Sequence, residues 1–348
     1  MPTLNYLEAK GSPFETGQAL GRFGAAAMQD YARTSPAWAT VMRHRRTPAA
    51  EAMAALVRTR FPRIWSELQG LAAGLELPFD DVFLWNSRGD LWAMAPDGCT
   101  TVQQAGAQRR ITHNEDGDPA FAGRCAIAAC AVEGGASFAS FVYPGSLPGH
   151  TFAVTERGLA MTVNNLRCLN VRPGVPRMVL TRALLEAGSL QEVRELLASS
   201  ERAGGFHLTV AHRAAPELLS VEFSSEALSV VEVAGRQLHA NHALHPSLRD
   251  LPQIVTGSSR HRQERGDALL ADGVDPLRIL ADDGNAAFPV LRADPHDSDD
   301  ENTMATADIR IGPSRIEWQV YEHPARPPRF HMIDGHASIE QGQRAHSA

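Results

Sequence analysis

Lysine is almost missing from this chain. Among 348 residues there are 33 basic ones, and only Lys10 is a lysine. A Schiff-base enzyme needs a lysine inside its site, and a phosphate-cradling G-x-x-x-x-G-K loop needs one at a fixed place. Lys10 has neither setting, so both classes are excluded. A surplus of positive charge is missing too. The formal net charge is −7, which argues against a nucleic-acid partner, because such proteins carry a basic face. No run of about 18 apolar residues exists to span a membrane. The opening residues lack the basic-then-apolar pattern of a secretory signal. A cytoplasmic protein with no membrane partner is expected.

Cysteine is scarce as well: Cys99, Cys125, Cys130 and Cys168. A chain of this size needs no disulfides to hold its core, and no C-x-x-C pair offers a zinc site. His239, His242 and His245 crowd together, but Asn241 and Pro246 mark a loop and no carboxylate or cysteine completes a ligand set. No metal and no cofactor is expected. What is present is apolar bulk, 43% of the chain, ample for a large buried core.

The first 98 residues read mainly as helix, with alanine and leucine at helical spacing over 14–33 and 50–75 and a further helix after Pro78. Residues 34–49, bearing prolines and three successive basic residues, read as an exposed loop. After Asp97-Gly98-Cys99 the pattern changes to short β-rich runs over 99–103, 107–113, 125–133, 137–142, 150–154 and 158–164, divided by glycine and proline turns. A helical pair over 176–199 is broken at Gly188-Ser189, where Ser189 is a good N-cap. Strands follow over 206–211, 218–223 and 229–233, then a helix over 258–271 and strands near 303–310 and 316–322. The acidic stretch 294–301 reads as a solvated loop. The order is not a βαβ alternation, so stacked antiparallel sheets flanked by helices are expected.

Cys99 stands at the junction of the two regions. Gly98 before it tolerates unusual backbone angles and leaves the Gly98–Cys99 carbonyl sterically open. A thiol there can attack the preceding carbonyl to give a thioester, and hydrolysis then frees Cys99 as a new N-terminus. A free α-amino group has a pKa of about 7.7–8.0 and serves as a base near neutrality. One residue would then supply nucleophile and base. A buried cysteine after a turn looks the same locally, so the downstream pattern matters. His113-Asn114-Glu115-Asp116 ends a β-like run, and a short antiparallel return would set it beside Cys99, with Asp116 able to hold the new ammonium.

Several segments in order resemble the penicillin acyltransferase-type (isopenicillin N acyltransferase-like) cysteine peptidases, which are N-terminal-nucleophile hydrolases. They are Gly11-Ser12-Pro13-Phe14-Glu15-Thr16-Gly17 with Gly21, then Trp85-Asn86-Ser87-Arg88-Gly89-Asp90, then Gly98-Cys99-Thr100-Thr101. Asn114-Glu115-Asp116 follows, although the family usually has an aromatic residue where Glu115 stands. Gly158-Leu159 through Asn164-Asn165-Leu166, Gly174-Val175-Pro176-Arg177, His239-Ala240-Asn241-His242 and Ser258-Ser259-Arg260-His261-Arg262 complete the set.

The resemblance implies an α+β, four-layer αββα fold with two stacked antiparallel sheets. It also implies self-cleavage at Gly98–Cys99 into a helical chain, 1–98, and a chain, 99–348, that stay together as an α/β heterodimer. Cys99 would be the nucleophile and Asp116 would orient its amino group. Asn241 would donate to the tetrahedral oxyanion, with Asn164 or its neighbour Asn165 as a second polar group. Thr100, Asn114 and Asn165 would line the substrate. An arginine near the thiol is implied: Arg292 suits the role, Arg260 competes, and Arg260 and Arg262 equally fit the wet face of a helix. Cys125, Cys130 and Cys168 read as core thiols. The implied substrates are small N-acyl amides, peptides or acyl-CoA. Hydrolysis and acyl transfer are not separable at this level. An unprocessed scaffold of the same fold, and a thiol hydrolase using His113 or His242 as base in the uncut chain, stay open.

Overall fold

The computed structural model describes residues 4–337. The chain opens with strand β1 (Asn5–Gly11). Helices α1 (Pro13–Thr34), α2 (Pro36–Met42), α3 (Pro48–Arg60), α4 (Pro62–Leu75), α5 (Phe79–Trp85) and α6 (Arg88–Leu91) follow. Then come β2 (Gly98–Gln104), β3 (Arg109–Gly117), β4 (Ala126–Val132), β5 (Ser137–Val142), β6 (Phe152–Thr155) and β7 (Leu159–Asn165), and the helices α7 (Arg177–Leu184) and α8 (Leu190–Ser199). The remainder is β8 (Phe206–His212), β9 (Leu218–Phe223), β10 (Leu228–Glu232), β11 (Arg236–His239), α9 (Gly257–Ala271), α10 (Pro276–Leu280), β12 (Asn302–Ile311), β13 (Ile316–Tyr321), β14 (Phe330–Ile333) and β15 (His336–Ala337).

The strands form two stacked sheets in an α+β architecture consistent with the four-layer αββα fold. One sheet runs β1-β4-β5-β6-β7-β8-β9-β10 and the other β11-β2-β3-β12-β13-β14-β15. All strand pairs in them are antiparallel except β1 with β4, which is parallel. Strand alternation fixes what each face of β2 does. Thr101 and Gln103 point between the sheets, where they bond Asn164 on β7 and His207 and Thr209 on β8. Thr100 and Val102 point outward, to Arg262 of α9 and to the apolar cluster with Ile279, Leu280 and Val290.

Local chemistry explains the elements. Ser12 caps α1 and Glu15 returns a bond to the Ser12 N–H at 2.8 Å, a reciprocal capping box, with Pro13 in the first turn. Gly17 and Gly21 on α1 meet Gly70 and Gly74 on α4. A Cβ at any of the four would collide with backbone of the facing helix, so these glycines set how closely the two helices pack. Ser189 caps α8 through the Glu192 N–H at 3.2 Å. Among the described residues no helix is long and apolar enough to cross a membrane.

Three sequence expectations are corrected. Residues 34–49 are not all loop: Ser35 caps α2, Pro36 starts it, and Trp38 and Val41 are buried. The helix over 50–75 is two helices, because Phe61 precedes Pro62 and is pushed out of helical angles. The helical first region also contributes β1, a mostly exposed strand that shows little apolar alternation.

Candidate active site

Strands β2 and β3 build the site. Their antiparallel register sets Cys99 opposite Glu115, Thr101 opposite His113, Gly98 opposite Asp116 and Thr100 opposite Asn114. Cross-strand partners share a face. Cys99, Thr101, His113 and Glu115 therefore face the inter-sheet space, and Gly98, Thr100, Asn114 and Asp116 face the helices α9 and α10.

The backbone of Cys99 is held on both sides of its Cα. The Cys99 N–H donates to Asn241 Oδ1 at 3.0 Å, and the Cys99 carbonyl accepts from Arg262 Nη1 at 2.6 Å. Arg262 also donates to Asn241 Oδ1 at 2.7 Å and Thr100 Oγ1 at 2.8 Å. One residue upstream, the Asp97 N–H donates to Glu301 Oε1 at 2.9 Å and its carbonyl accepts from Asn165 Nδ2 at 2.8 Å. Glu301 covers Gly98 so closely that a Cβ there would collide with its carboxylate and approach the Arg292 guanidinium. Cys99 is 1% exposed.

The charges around this peptide are paired and buried. Arg292 bonds Glu301 and Asp297, and its Nη1 lies 4.0 Å from Asp116 Oδ2. Arg167 donates to Glu301 Oε1 at 2.7 Å. Burial opposes ionisation of Glu301, but Arg167 and Arg292 hold its carboxyl below the ordinary value. Asp116 accepts from Thr303 Oγ1 at 2.7 Å through one oxygen, and its other oxygen has no partner. Burial raises the Asp116 carboxyl to about 6, with Arg292 and Arg262 pulling the other way. Burial, with Glu115, Asp97 and Asp116 nearby, pushes the Cys99 thiol well up. The thiol is therefore protonated in the uncut chain.

The remaining named residues have these places. Asn241 gives its Nδ2 to the Asn165 carbonyl at 3.2 Å. Asn164 accepts from Thr101 at 2.7 Å and donates to the His239 carbonyl at 3.0 Å, so its side chain lies between the sheets. Asn165, gripped by Arg177 at 2.6 Å, is the one that holds the Asp97 carbonyl. Asn114 donates to the Leu280 carbonyl at 2.9 Å and accepts from Thr306 at 2.6 Å, tying α10 and β12 to β3. Cys125, Cys130 and Cys168 are buried and free. His239 and Glu222 are paired at 2.8 Å. A surface cavity of about 370 Å³, walled by Phe61, Ile64, Arg182 and Leu196 among others, contains none of the residues around Cys99.

Sequence reasoning left two groups unplaced. Arg260 is exposed, and Arg262 is the arginine of that helix that reaches Cys99. Ser258, Ser259, Arg262, Gln263 and Gly266 form the buried face of α9, a polar face that gives no hydrophobic periodicity, so only the spacing could have marked it. The 294–301 stretch is irregular as expected but not simply solvated, because Asp297 and Glu301 are drawn in by Arg292. Asn86, in the segment before Cys99, clamps the loop by accepting from the Leu147 N–H at 2.7 Å and donating to the Gly145 carbonyl at 3.0 Å.

Cys99, His113 and Glu115 each place one donor atom within 4.8 Å of the others. Glu115 Oε2 lies 3.7 Å from Cys99 Sγ and 3.1 Å from His113 Nε2. These are hydrogen-bonding contacts among groups that share protons, and the cluster is read as that, not as a metal centre.

Comparison with known proteins bears on the family. The family described as acyl-coenzyme A:6-aminopenicillanic acid acyl-transferase matches residues 103–323, starting just after Cys99. The acyl-coenzyme A:6-aminopenicillanic-acid-acyltransferase 40 kDa form of Emericella nidulans is 26% identical over 311 residues, which cover 83% of this chain and 84% of its own. The beta-alanyl-dopamine/carcinine hydrolase of Drosophila melanogaster is 26% identical over 219 residues, 55% of this chain and 56% of its own.

Proposed function

Because the chain belongs to the acyl-coenzyme A:6-aminopenicillanic acid acyl-transferase family, we propose that it is a self-processing N-terminal-cysteine amidohydrolase or acyltransferase. It cuts its own Gly98–Cys99 bond and leaves residues 1–98 and 99–348 associated. The mature Cys99 thiol attacks the carbonyl of a small N-acyl amide, peptide or acyl-CoA and forms an acyl thioester. Water or an amine then takes the acyl group. The two relatives named above, one an acyltransferase and one a hydrolase, support both outcomes equally.

The observation that carries the reading is the set of bonds that fixes the backbone of Asp97 and Cys99, on either side of Gly98. Asn241 grips the Cys99 nitrogen and Arg262 its carbonyl, and Glu301 with Asn165 fixes Asp97. The Asp116 oxygen that makes no hydrogen bond, on the residue opposite Gly98, supports a role in receiving the ammonium that cleavage creates. Arg292 works against the rise that burial imposes on that carboxyl. Once Asn241 lets go of the Asn165 carbonyl, its amide is free to donate to a tetrahedral oxyanion, a kind of contact whose loss typically costs ~10²–10³ in rate.

Intact-mass analysis of the purified wild type beside Cys99→Ala tests this. Two chains with Cys99 at the start of the second are expected for wild type, and one whole inactive chain for the variant. A wild-type chain that stays whole, with the Cys99→Ala chain equally active, overturns it. A whole but Cys99-dependent enzyme favours the thiol hydrolase with a histidine base. A whole and inactive chain favours the scaffold.

A further inference from the structure

Self-cleavage of the uncut chain has a proton problem that the mature enzyme does not. Before the cut, the Cys99 nitrogen is an amide whose hydrogen is held by Asn241, and an amide nitrogen is no base. The thiol is buried and protonated, so its proton must go elsewhere before sulfur can attack. Asp116 is on the other face of the paired strands. His242 is turned to Ser259 at 2.8 Å.

Glu115 is on the thiol's own face and opposite it in register. A continuous line of contacts leads away from the sulfur. Cys99 Sγ lies 3.7 Å from Glu115 Oε2, which lies 3.1 Å from His113 Nε2. His113 Nδ1 lies 2.8 Å from Thr101 Oγ1, and the Thr101 hydroxyl donates to Asn164 Oδ1 at 2.7 Å. That last bond fixes the histidine tautomer. With its hydrogen committed to Asn164, the Thr101 oxygen accepts, so His113 Nδ1 carries the ring proton and Nε2 presents its lone pair to Glu115. Burial, with Asp97 close by, pushes the Glu115 carboxyl well up, and burial pulls His113 down to about 3. Both groups rest neutral, with the Glu115 proton shared with Nε2.

We propose that Glu115 is the catalytic base of self-cleavage and that His113, oriented by Thr101 and Asn164, is the positioning residue that receives its proton. This rests on the self-processing reading above and deepens it. Glu115 Oε2 takes the proton of the Cys99 thiol as it passes its own to His113 Nε2. The sulfur forms a bond to the Gly98 carbonyl carbon, and the carbonyl electron pair moves onto oxygen. The carbonyl then re-forms and the bond from Gly98 carbon to Cys99 nitrogen breaks. The nitrogen takes a proton from Glu115, which recovers its own from His113. The pair ends as it began, one S–H has become one N–H, and nothing is oxidised or reduced. Water then hydrolyses the thioester to the Gly98 carboxyl group and the Cys99 thiol. The new α-amino group takes over as base for turnover.

The test follows cleavage of purified full-length chain over time by intact mass, for wild type and Glu115→Gln, with and without hydroxylamine, which cuts thioesters. Glutamine keeps the shape and loses the transferable proton. Loss of general base catalysis of this kind slows a reaction by about 10²–10⁴-fold. Glu115→Gln is expected to cleave at least ~100-fold slower and not to be rescued by hydroxylamine, because the block precedes the thioester. Cleavage at the wild-type rate, or rescue by hydroxylamine, overturns the proposal. If thermal melting shows that Glu115→Gln fails to fold, His113→Asn is judged by the same two criteria. A wild-type chain that never cleaves defeats the self-processing reading itself, which the Glu115→Gln comparison leaves distinct.

Discussion

Two arginines two positions apart, Arg260 and Arg262, have opposite fates on one helix. Arg260 is exposed, whereas Arg262 is 1% exposed and reaches Cys99, Thr100 and Asn241. Removing its guanidinium leaves four buried acceptors, Ser258 Oγ among them, short of a charged donor, each bond of that kind being worth about 1.5–3 kcal/mol. In a Cys99→Ala background, which keeps the chain whole, Arg262→Gln is expected to lower the unfolding free energy by at least ~2 kcal/mol. Arg260→Gln should stay within ~0.5 kcal/mol. Urea midpoints of the two variants decide this, and equal midpoints would contradict the placement of Arg262. Sequence alone reached Cys99 through the glycine before it and the change of pattern after it. It did not reach Glu301, because an acidic run on its own reads as solvated until a buried cation such as Arg292 is known to face it.

At the scale of elements, most strands were legible because one or both faces are apolar and glycine or proline turns divide them. The exceptions have specific causes. Strand β1 is largely exposed and pairs in parallel with a distant partner, β4, so neither alternation nor a hairpin turn announces it. Helix α2 was hidden by the basic residues just beyond it. Helix α9 matches the helix expected over 258–271, and what the sequence hid is that its buried face is polar. The α1–α4 crossing, in contrast, leaves a plain trace in its four glycines. Overpacking a tight contact costs about 1–3 kcal/mol, and here the obstacle is backbone that cannot rotate away. Gly70→Ala, whose Cβ would meet the Phe14 carbonyl, is expected to destabilise by ~3 kcal/mol or more, read as a lowered melting temperature. An unchanged melting temperature would mean that the two helices are not so close.

At the scale of the molecule, the part before Cys99 is woven into the part after it. It supplies β1 to the edge of the eight-stranded sheet and α1, which also packs on β4. Apolar residues from both parts, such as Met28, Leu68, Phe141 and Val154, belong to one buried cluster. If the chain is cut as proposed, the two pieces should therefore migrate as one particle in native size-exclusion chromatography and separate only in denaturant. Separation under native conditions would contradict this. From the sequence, one folded domain whose two parts stay together is expected, but not the strand β1 that joins them through β4.

If the chain is cut as proposed, Glu301 gives the cut a direction in time. A peptide carbonyl is neutral, and hydrolysis replaces it with a carboxylate. At Gly98 that new anion would be born against an existing one, since the Glu301 carboxylate already lies where even a methyl group has no room. Its cations, Arg167 and Arg292, are already bonded to Glu301. Like charges at close range in a dry pocket repel strongly. On the proposed reading the severed end would be driven from where it was made, and the thiol would then have no acyl partner with which to rejoin. The arrangement would work as a ratchet.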